Sequence, residues 1–339
     1  MELNVWTSTT IQGKPSFDPK TKTWTVHLKR GDGSERVVHP HHVILASGHS
    51  GEPRIPKFPG AETFKGDIHH SSQHPEGSKY AGKRAVIVGC CNSAHDIAQD
   101  LYEHGAESVT MVQRSSTYVL SSEMVLKYVT TPLYVENGPP TEVADLLNAS
   151  VPLPILKVSQ QSTTKLIAEE DEEKLDKLHK AGFKLDYGYE GSGLIMKYFT
   201  AGGGYYIDVG CSKLIGDGKI KIKQGKQISK VVEDGIVFED GSKLEADLIV
   251  LATGYDNMRQ TARKIFGDEL ADRVTDVWGL NEEGEIATIW QSKPTQIPEM
   301  LIIGSGFPNF WFMGGNLALA RIYSRFLALQ IKAAELGRN

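Results

Sequence analysis

The residues placed for chemistry lie in one stretch, residues 83–98, which read KRAVIVGCCNSAHDIA. Residues 85–88 form a short apolar run, which predicts a buried strand. Gly89 follows at once, and Ala94, Ile97, Ala98 and Leu101 then recur at helical spacing. Between strand and helix stands Gly89-x-Cys91-x-x-Ala94, in the setting of a dinucleotide-binding turn of pattern G-x-G-x-x-G/A. Gly89 would make the turn, and Ala94 would let the helix lie close to the strand. The free N–H groups and the dipole at the helix N-terminus would hold a pyrophosphate. Cys91 departs from the pattern, because glycine at that position lets backbone approach phosphate. A side chain there is expected to push the pyrophosphate outward.

Residues 108–112, SVTMV, predict the next strand, which ends at Gln113-Arg114-Ser115. In this fingerprint an acidic residue about 20 positions on takes the ribose 2′-hydroxyl, whereas an arginine accommodates a 2′-phosphate. Arg114 stands there with no Asp or Glu nearby, which favours NADPH over NADH.

The elements around this unit fit a chain of two domains. Its 339 residues are 40% hydrophobic and 23% charged, an ordinary globular composition. The net charge of −5 and the lack of a basic block argue against a nucleic-acid partner. Three cysteines, two of them adjacent, suggest no disulfide framework and a reduced, cytoplasmic setting. The longest apolar stretch, residues 300–315, is broken by Gly304, Gly306 and Pro308, so no membrane span is expected.

In chain order, residues 24–29 alternate as a strand, Gly31-Asp32-Gly33 is a turn, and strands are expected at 37–38 and 43–46. Together they suggest an antiparallel meander. His39, His41 and His42 are read as a polar lead-in to a strand, since no Cys or carboxylate stands at ligand spacing. Residues 52–59 are a proline-stiffened connector, and 119–154 read as loop-rich with a helix at 142–147. Residues 163–180 predict a charged helix. Gly202-Gly203-Gly204 is a turn before a strand at 205–209, since no Lys-Ser or Lys-Thr follows to make a phosphate loop.

Short strands follow at 219–223, 228–232 and 236–238, then a buried one at 247–252 ending in Thr253-Gly254-Tyr255. VFEDGSKLEADLIVLATGY repeats the design of VHLKRGDGSERVVHPHHVILASGH: hairpins feed an apolar strand that ends in Ala-Ser/Thr-Gly. The repeat predicts two similarly built domains. The small residues at both ends allow close backbone approach to a ligand or a hinge. Residues 52–253 are then an inserted NADPH-binding domain, and 1–51 with 254–339 the domain it interrupts. Residues 300–303 predict a strand, and 317–336 a closing helix with Ala318, Ile322, Phe326, Leu329 and Ala333 on one face.

With these motifs in view, the chain resembles the central and C-terminal part of a class B flavin-containing monooxygenase, fungal members above all. The resemblance rests on Phe64-x-Gly66-x-x-x-His70, the Gly89–Ala94 turn, Gln113-Arg114-Ser115 and Leu251-Ala-Thr-Gly-Tyr255. The signature F-x-G-x-x-x-H-x-x-x-F/Y is met except at its last position, which is His74.

The resemblance implies an α/β fold of two Rossmann-like, three-layer ββα domains, with FAD in the outer one and NADPH in the inserted one. NADPH reduces the flavin, which takes up O₂ and passes oxygen to a small organic substrate, at nitrogen, sulfur or a carbonyl. By resemblance Arg114 holds the 2′-phosphate, beside Gln113, and Asn92 and Ser93 line the pyrophosphate turn with Gly89, Cys91 and Ala94. His70 has a positioning role at the domain linker, and His70, Thr253 and Gly254 count among the cofactor-binding residues. No catalytic protein nucleophile and no metal are implied.

The family's first Gly-rich turn, which holds the ADP part of FAD, has no counterpart in residues 1–48. The outer domain is therefore expected to be incomplete at its N-terminus, with a missing segment or a homo-oligomeric partner to cover it. The alternative function is a non-catalytic NADPH-binding remnant or interaction protein.

Overall fold

The structure is a computed structural model and describes residues 3–48, 50–131, 133–274, 276–286, 293–294, 301–302 and 306–337. The chain forms two compact units, Met1–Glu52 with Asp256–Asn339, and Pro53–Tyr255.

The Pro53–Tyr255 unit is built on a five-stranded parallel sheet. Its order is Ile220–Gln224, Ser108–Gln113, Arg84–Val88, Leu248–Leu251 and Asp67–His70. The central strands read RAVIV and LIVL. Such unbroken apolar runs suit a parallel sheet covered on both faces. Alternate side chains take opposite sides. Ala85, Ile87, Leu248 and Val250 meet Ala94, Ala98 and Leu101 of the helix Asn92–Glu103. Val86, Ile249 and Leu251 meet Val231, Ile236 and Phe238. These last belong to an antiparallel meander, Ile228–Val232, Gly235–Phe238 and Lys243–Glu245. Meander, sheet and helix are the three layers. Each fully buried Ile, Leu or Val stabilises the unit by roughly 1.5–3 kcal/mol.

The strand expected at 219–223 is present as Ile220–Gln224, at an edge of the parallel sheet. Two expectations are corrected here. The loop-rich stretch from 119 opens inside a fully buried strand, Thr117–Ser121, which pairs in parallel with Tyr205–Asp208 and Leu185–Asp186. The helix expected at 163–180 is two, Leu153–Glu170 and Glu172–Lys180. Asp171 interrupts them because its buried carboxylate reaches across to Ser121, accepting from its N–H at 2.7 Å and its Oγ at 2.9 Å. A buried carboxylate left without such donors would cost several kcal/mol.

In the other unit Thr9–Asp18, Thr23–Arg30 and Glu35–Val38 form the antiparallel meander. Trp24 is buried at its centre, against the rings of Phe17, Phe266, Phe307 and Phe310. Val43–Leu45 does not join that meander; it pairs in parallel with Phe310–Phe312, far along the chain. In both units, then, a meander precedes a parallel strand, as the sequence repeat predicts. The closing helix, Leu317–Glu335, buries only Ile322, leaving Phe326 45% and Leu329 66% exposed. Of the strand expected at 300–303, Leu301–Ile302 pairs with Lys293–Pro294, and the remainder lies outside the described residues.

Candidate functional site

The turn after Arg84–Val88 is shaped by Gly89. Its φ is +133°, and a Cβ built there would lie 2.2 Å from the Ala252 carbonyl oxygen. No other residue fits so close to the neighbouring strand. Its N–H donates to Val112 O at 3.0 Å, which fixes the turn to the next strand. Cys91, half-buried and extended, stands just before the helix Asn92–Glu103 and makes no side-chain cap. Its carbonyl accepts from Ala94 N at 3.0 Å and His95 N at 3.1 Å. The helix N-terminus is therefore uncapped by side chains, with no acidic residue in its first turn. That leaves its dipole and its first N–H groups, at Asn92 and Ser93, for an anion.

Each residue of the turn has a distinct surrounding. Ala94 is fully buried, and its small side chain lets the helix lie on the sheet. Ser93 is exposed. Asn92 Oδ1 accepts from Ile207 N at 3.0 Å, tying the helix to the strand Tyr205–Asp208. Burial pushes the Cys91 thiol up, against the pull of the Gly204 N–H and the Lys197 and Thr117 side chains, so it stays protonated at neutral pH.

At the end of the adjacent strand, Gln113 is buried and fully committed. Its Nε2 donates to Lys184 O at 2.9 Å, and its Oε1 accepts from Lys184 N at 2.6 Å. Arg114, the next residue, is exposed and makes no ion pair among the described residues.

His70, Thr253 and Gly254 form a latch apart from the turn's own anion donors. His70 is buried, with Nδ1 2.9 Å from Ser72 Oγ and Nε2 3.0 Å from Gly254 O. Its ring stands edge-on to Tyr255. Gly254 O also accepts from Arg54 N at 3.0 Å, while the Thr253 hydroxyl donates to Arg54 O. The latch joins the ends of the strands Asp67–His70 and Leu248–Leu251 to the start of the connector. His74, where the signature has Phe or Tyr, stacks on His69 and Tyr80 as an aromatic would.

Other residues of the site carried no sequence signal. His95 stacks on Tyr206 with centroids 3.7 Å apart. Asp208 is buried. Burial would raise its pKa, but Lys174 at 2.8 Å and the N–H groups of Gly210 and Ser212 outweigh that and hold it low. Lys174, from the helix Glu172–Lys180, is more than 30 positions from Asp208, so no local pattern shows the pair. Among the described residues, no His, Cys, Asp and Glu cluster could hold a metal ion. No helix among them is long and apolar enough to cross a membrane.

The geometry is that of a three-layer unit of meander, parallel sheet and helix, with a glycine turn, an open helix N-terminus and an exposed arginine just past the end of the next strand. The chain belongs to the flavin-binding monooxygenase-like family, whose model matches residues 5–260. It is 31% identical to indole-3-pyruvate monooxygenase YUCCA1 of Oryza sativa subsp. japonica, over 71% of this chain and 52% of that protein. It is 32% identical to a probable indole-3-pyruvate monooxygenase, YUCCA7 of Arabidopsis thaliana, over 63% of this chain and 44% of that one. The chain thus spans about half the length of these curated relatives. Its fold is that of cyclohexanone monooxygenase in a closed crystal structure, with a TM-score of 0.61 and 17% identity over 96% of this chain and 65% of that one. An oxidized steroid monooxygenase bound to NADP matches similarly, with a TM-score of 0.61 and 18% identity over 97% of this chain and 67% of that one.

Proposed function

We propose that the chain serves a flavin-dependent monooxygenase reaction, in which NADPH and O₂ oxygenate a small organic substrate. The Pro53–Tyr255 unit binds NADPH. The observation that carries this is the uncapped N-terminus of Asn92–Glu103 behind Gly89, with the free guanidinium of Arg114 on the next strand. The N–H groups of Asn92 and Ser93 hold the pyrophosphate, and Arg114 pairs with the 2′-phosphate. Bound NADPH would supply a hydride, and FAD would supply its acceptor and the activation of O₂. The related plant proteins, named for indole-3-pyruvate, support a carbonyl or keto-acid substrate beside nitrogen and sulfur nucleophiles.

The other unit fits a flavin pyrophosphate less well. Among the described residues its short helix Asp268–Arg273 opens on two carboxylates, Asp268 and Glu269, which disfavour an anion, and its longer helices Met258–Phe266 and Leu317–Glu335 begin at Asn257 and Asn316. Each Asn caps its own first turn, at Arg259 N (3.1 Å) and Leu319 N (3.0 Å). Neither offers the open N-terminus that follows Gly89. A second reading, an NADPH-binding interaction protein, is favoured by the exposed apolar residues of Leu317–Glu335.

Titration calorimetry with NADPH and NADH tests the site. Arg114→Ala should weaken NADPH by about 1.5–3 kcal/mol, the range for hydrogen bonds to charged groups, and leave NADH nearly unchanged. Equal loss of both coenzymes would remove Arg114 as the phosphate ligand. A native chain that binds neither coenzyme would remove the proposed function itself.

A further inference from the structure

We propose that Lys184 is a second ligand for the coenzyme 2′-phosphate, sharing it with Arg114. The inference rests on the NADPH site proposed above. Lys184 lies 70 positions beyond Arg114, yet the fold sets its backbone beside the end of the same strand. Gln113, only 1% exposed, bonds Lys184 through both ends of its amide, donating to its carbonyl and accepting from its N–H at 2.9 and 2.6 Å. Thr117 N adds a third bond to Lys184 O, at 3.1 Å. The residue next to Gln113 is Arg114. Two backbone positions carrying cations are therefore held side by side by one buried side chain.

Neither cation is neutralised. Arg114 and Lys184 are both exposed, and neither makes an ion pair among the described residues. No Asp or Glu lies between residues 108 and 122. The acid nearest Lys184 in sequence, Asp186, is already engaged: its carboxylate pairs with Lys197 and accepts from Gly188 N at 2.8 Å. Ser115, exposed beside Arg114, adds a hydroxyl donor. Two exposed cationic residues whose backbones are tied together at one strand end can both reach a dianion bound there. Arginine supplies a planar fork for phosphate oxygens and lysine a mobile point charge. The pair suits a phosphomonoester, and a ribose bearing a free 2′-hydroxyl gains nothing from it.

The test measures dissociation constants for NADP⁺ and NAD⁺ with the full chain, its Lys184→Met and Lys184→Arg variants, and Arg114→Ala. Lys184→Met should weaken NADP⁺ about tenfold, the effect of about one charge-assisted contact. NAD⁺ should change less than about twofold, since it brings no phosphate to that contact. Lys184→Arg should restore most of the loss. The dependence of NADP⁺ affinity on salt should also flatten in Lys184→Met. Since the side chain is exposed, the melting temperatures of all variants should match, and they are measured alongside. If Lys184→Met binds NADP⁺ as the native chain does while Arg114→Ala does not, Lys184 is no ligand and the site stands on Arg114 alone. Equal loss of NADP⁺ and NAD⁺ in Lys184→Met would also overturn the proposal. A native chain that does not distinguish the two coenzymes overturns both the proposal and the 2′-phosphate reading beneath it.

Discussion

His95 lies fully buried, its ring 6° from parallel with that of Tyr206. Its Nδ1 is 3.1 Å from the Cys91 carbonyl, which can only accept, so the proton sits on Nδ1. Nε2 is buried with no partner among the described residues. A charged ring would need a second acceptor there, and burial lowers the pKa to about 4. The unfolded chain therefore takes up this proton first as the pH falls below about 6.5. Stability from neutral His95 is fully present above that value and is lost as the pH falls toward 4, by about 3 kcal/mol in all. His42, His69 and His74 are also lowered by burial and add to the slope, so the informative quantity is a difference. Chemical denaturation between pH 7 and 4 should show about one proton less linked to unfolding in His95→Phe than in the native chain. An unchanged slope would mean that the ring charges freely within the fold.

Two glycines separate required from tolerated positions among the elements of the site. Gly89 combines a left-handed φ with a carbonyl 2.2 Å from any Cβ, at the point where strand becomes helix. Gly89→Ala should cost at least about 2 kcal/mol of stability, by strain and by displacing Ala252, and should abolish coenzyme binding. The three-glycine turn behaves differently along its length. Gly202 ends the helix Gly193–Ala201 with φ 63°, and Gly204 has φ +86° with Lys197 close by. Gly203 has an ordinary φ and open space around it. Gly203→Ala should therefore leave the melting temperature level or raise it, by up to about 1 kcal/mol through the unfolded state. Thermal unfolding of both variants checks the contrast, and similar losses would contradict it.

At the scale of the whole chain, association should follow what the unit of Met1–Glu52 with Asp256–Asn339 leaves exposed. Ile44, on the two-stranded parallel pair, is 45% exposed, and Leu317, Phe326 and Leu329 open the apolar face of the closing helix to solvent. Parallel strands are almost always covered on both faces, and exposed apolar side chains such as these favour association. Residues 1–48 contain no G-x-G-x-x-G turn for a flavin pyrophosphate. A flavin pyrophosphate bound without such a turn would go without charge-assisted hydrogen bonds worth about 1.5–3 kcal/mol each. The chain by itself is expected to purify colourless, to self-associate in light scattering, and to oxidise no NADPH in response to added substrates. A yellow, monodisperse preparation that consumes NADPH and O₂ would show that these residues suffice for the flavin and the full reaction.

Sequence alone determined what depends on neighbours along the chain. The Gly89 turn, its strand and helix, and the repeated hairpin-and-strand design all rest on local period, glycine placement and small residues. The place of Arg114, exposed just past the end of its strand, is legible because it follows that strand directly. Tertiary structure decided what depends on distant partners. Gln113, read in sequence as part of the coenzyme site, spends its amide on Lys184. The polar type of His70 shows in the sequence, but its bond to Gly254 O does not. The break at Asp171 was invisible because its cause, Ser121, lies 50 positions away. The exposed face of Leu317–Glu335 follows the same logic: period shows which side of a helix is apolar, and only the surrounding elements determine whether anything covers it.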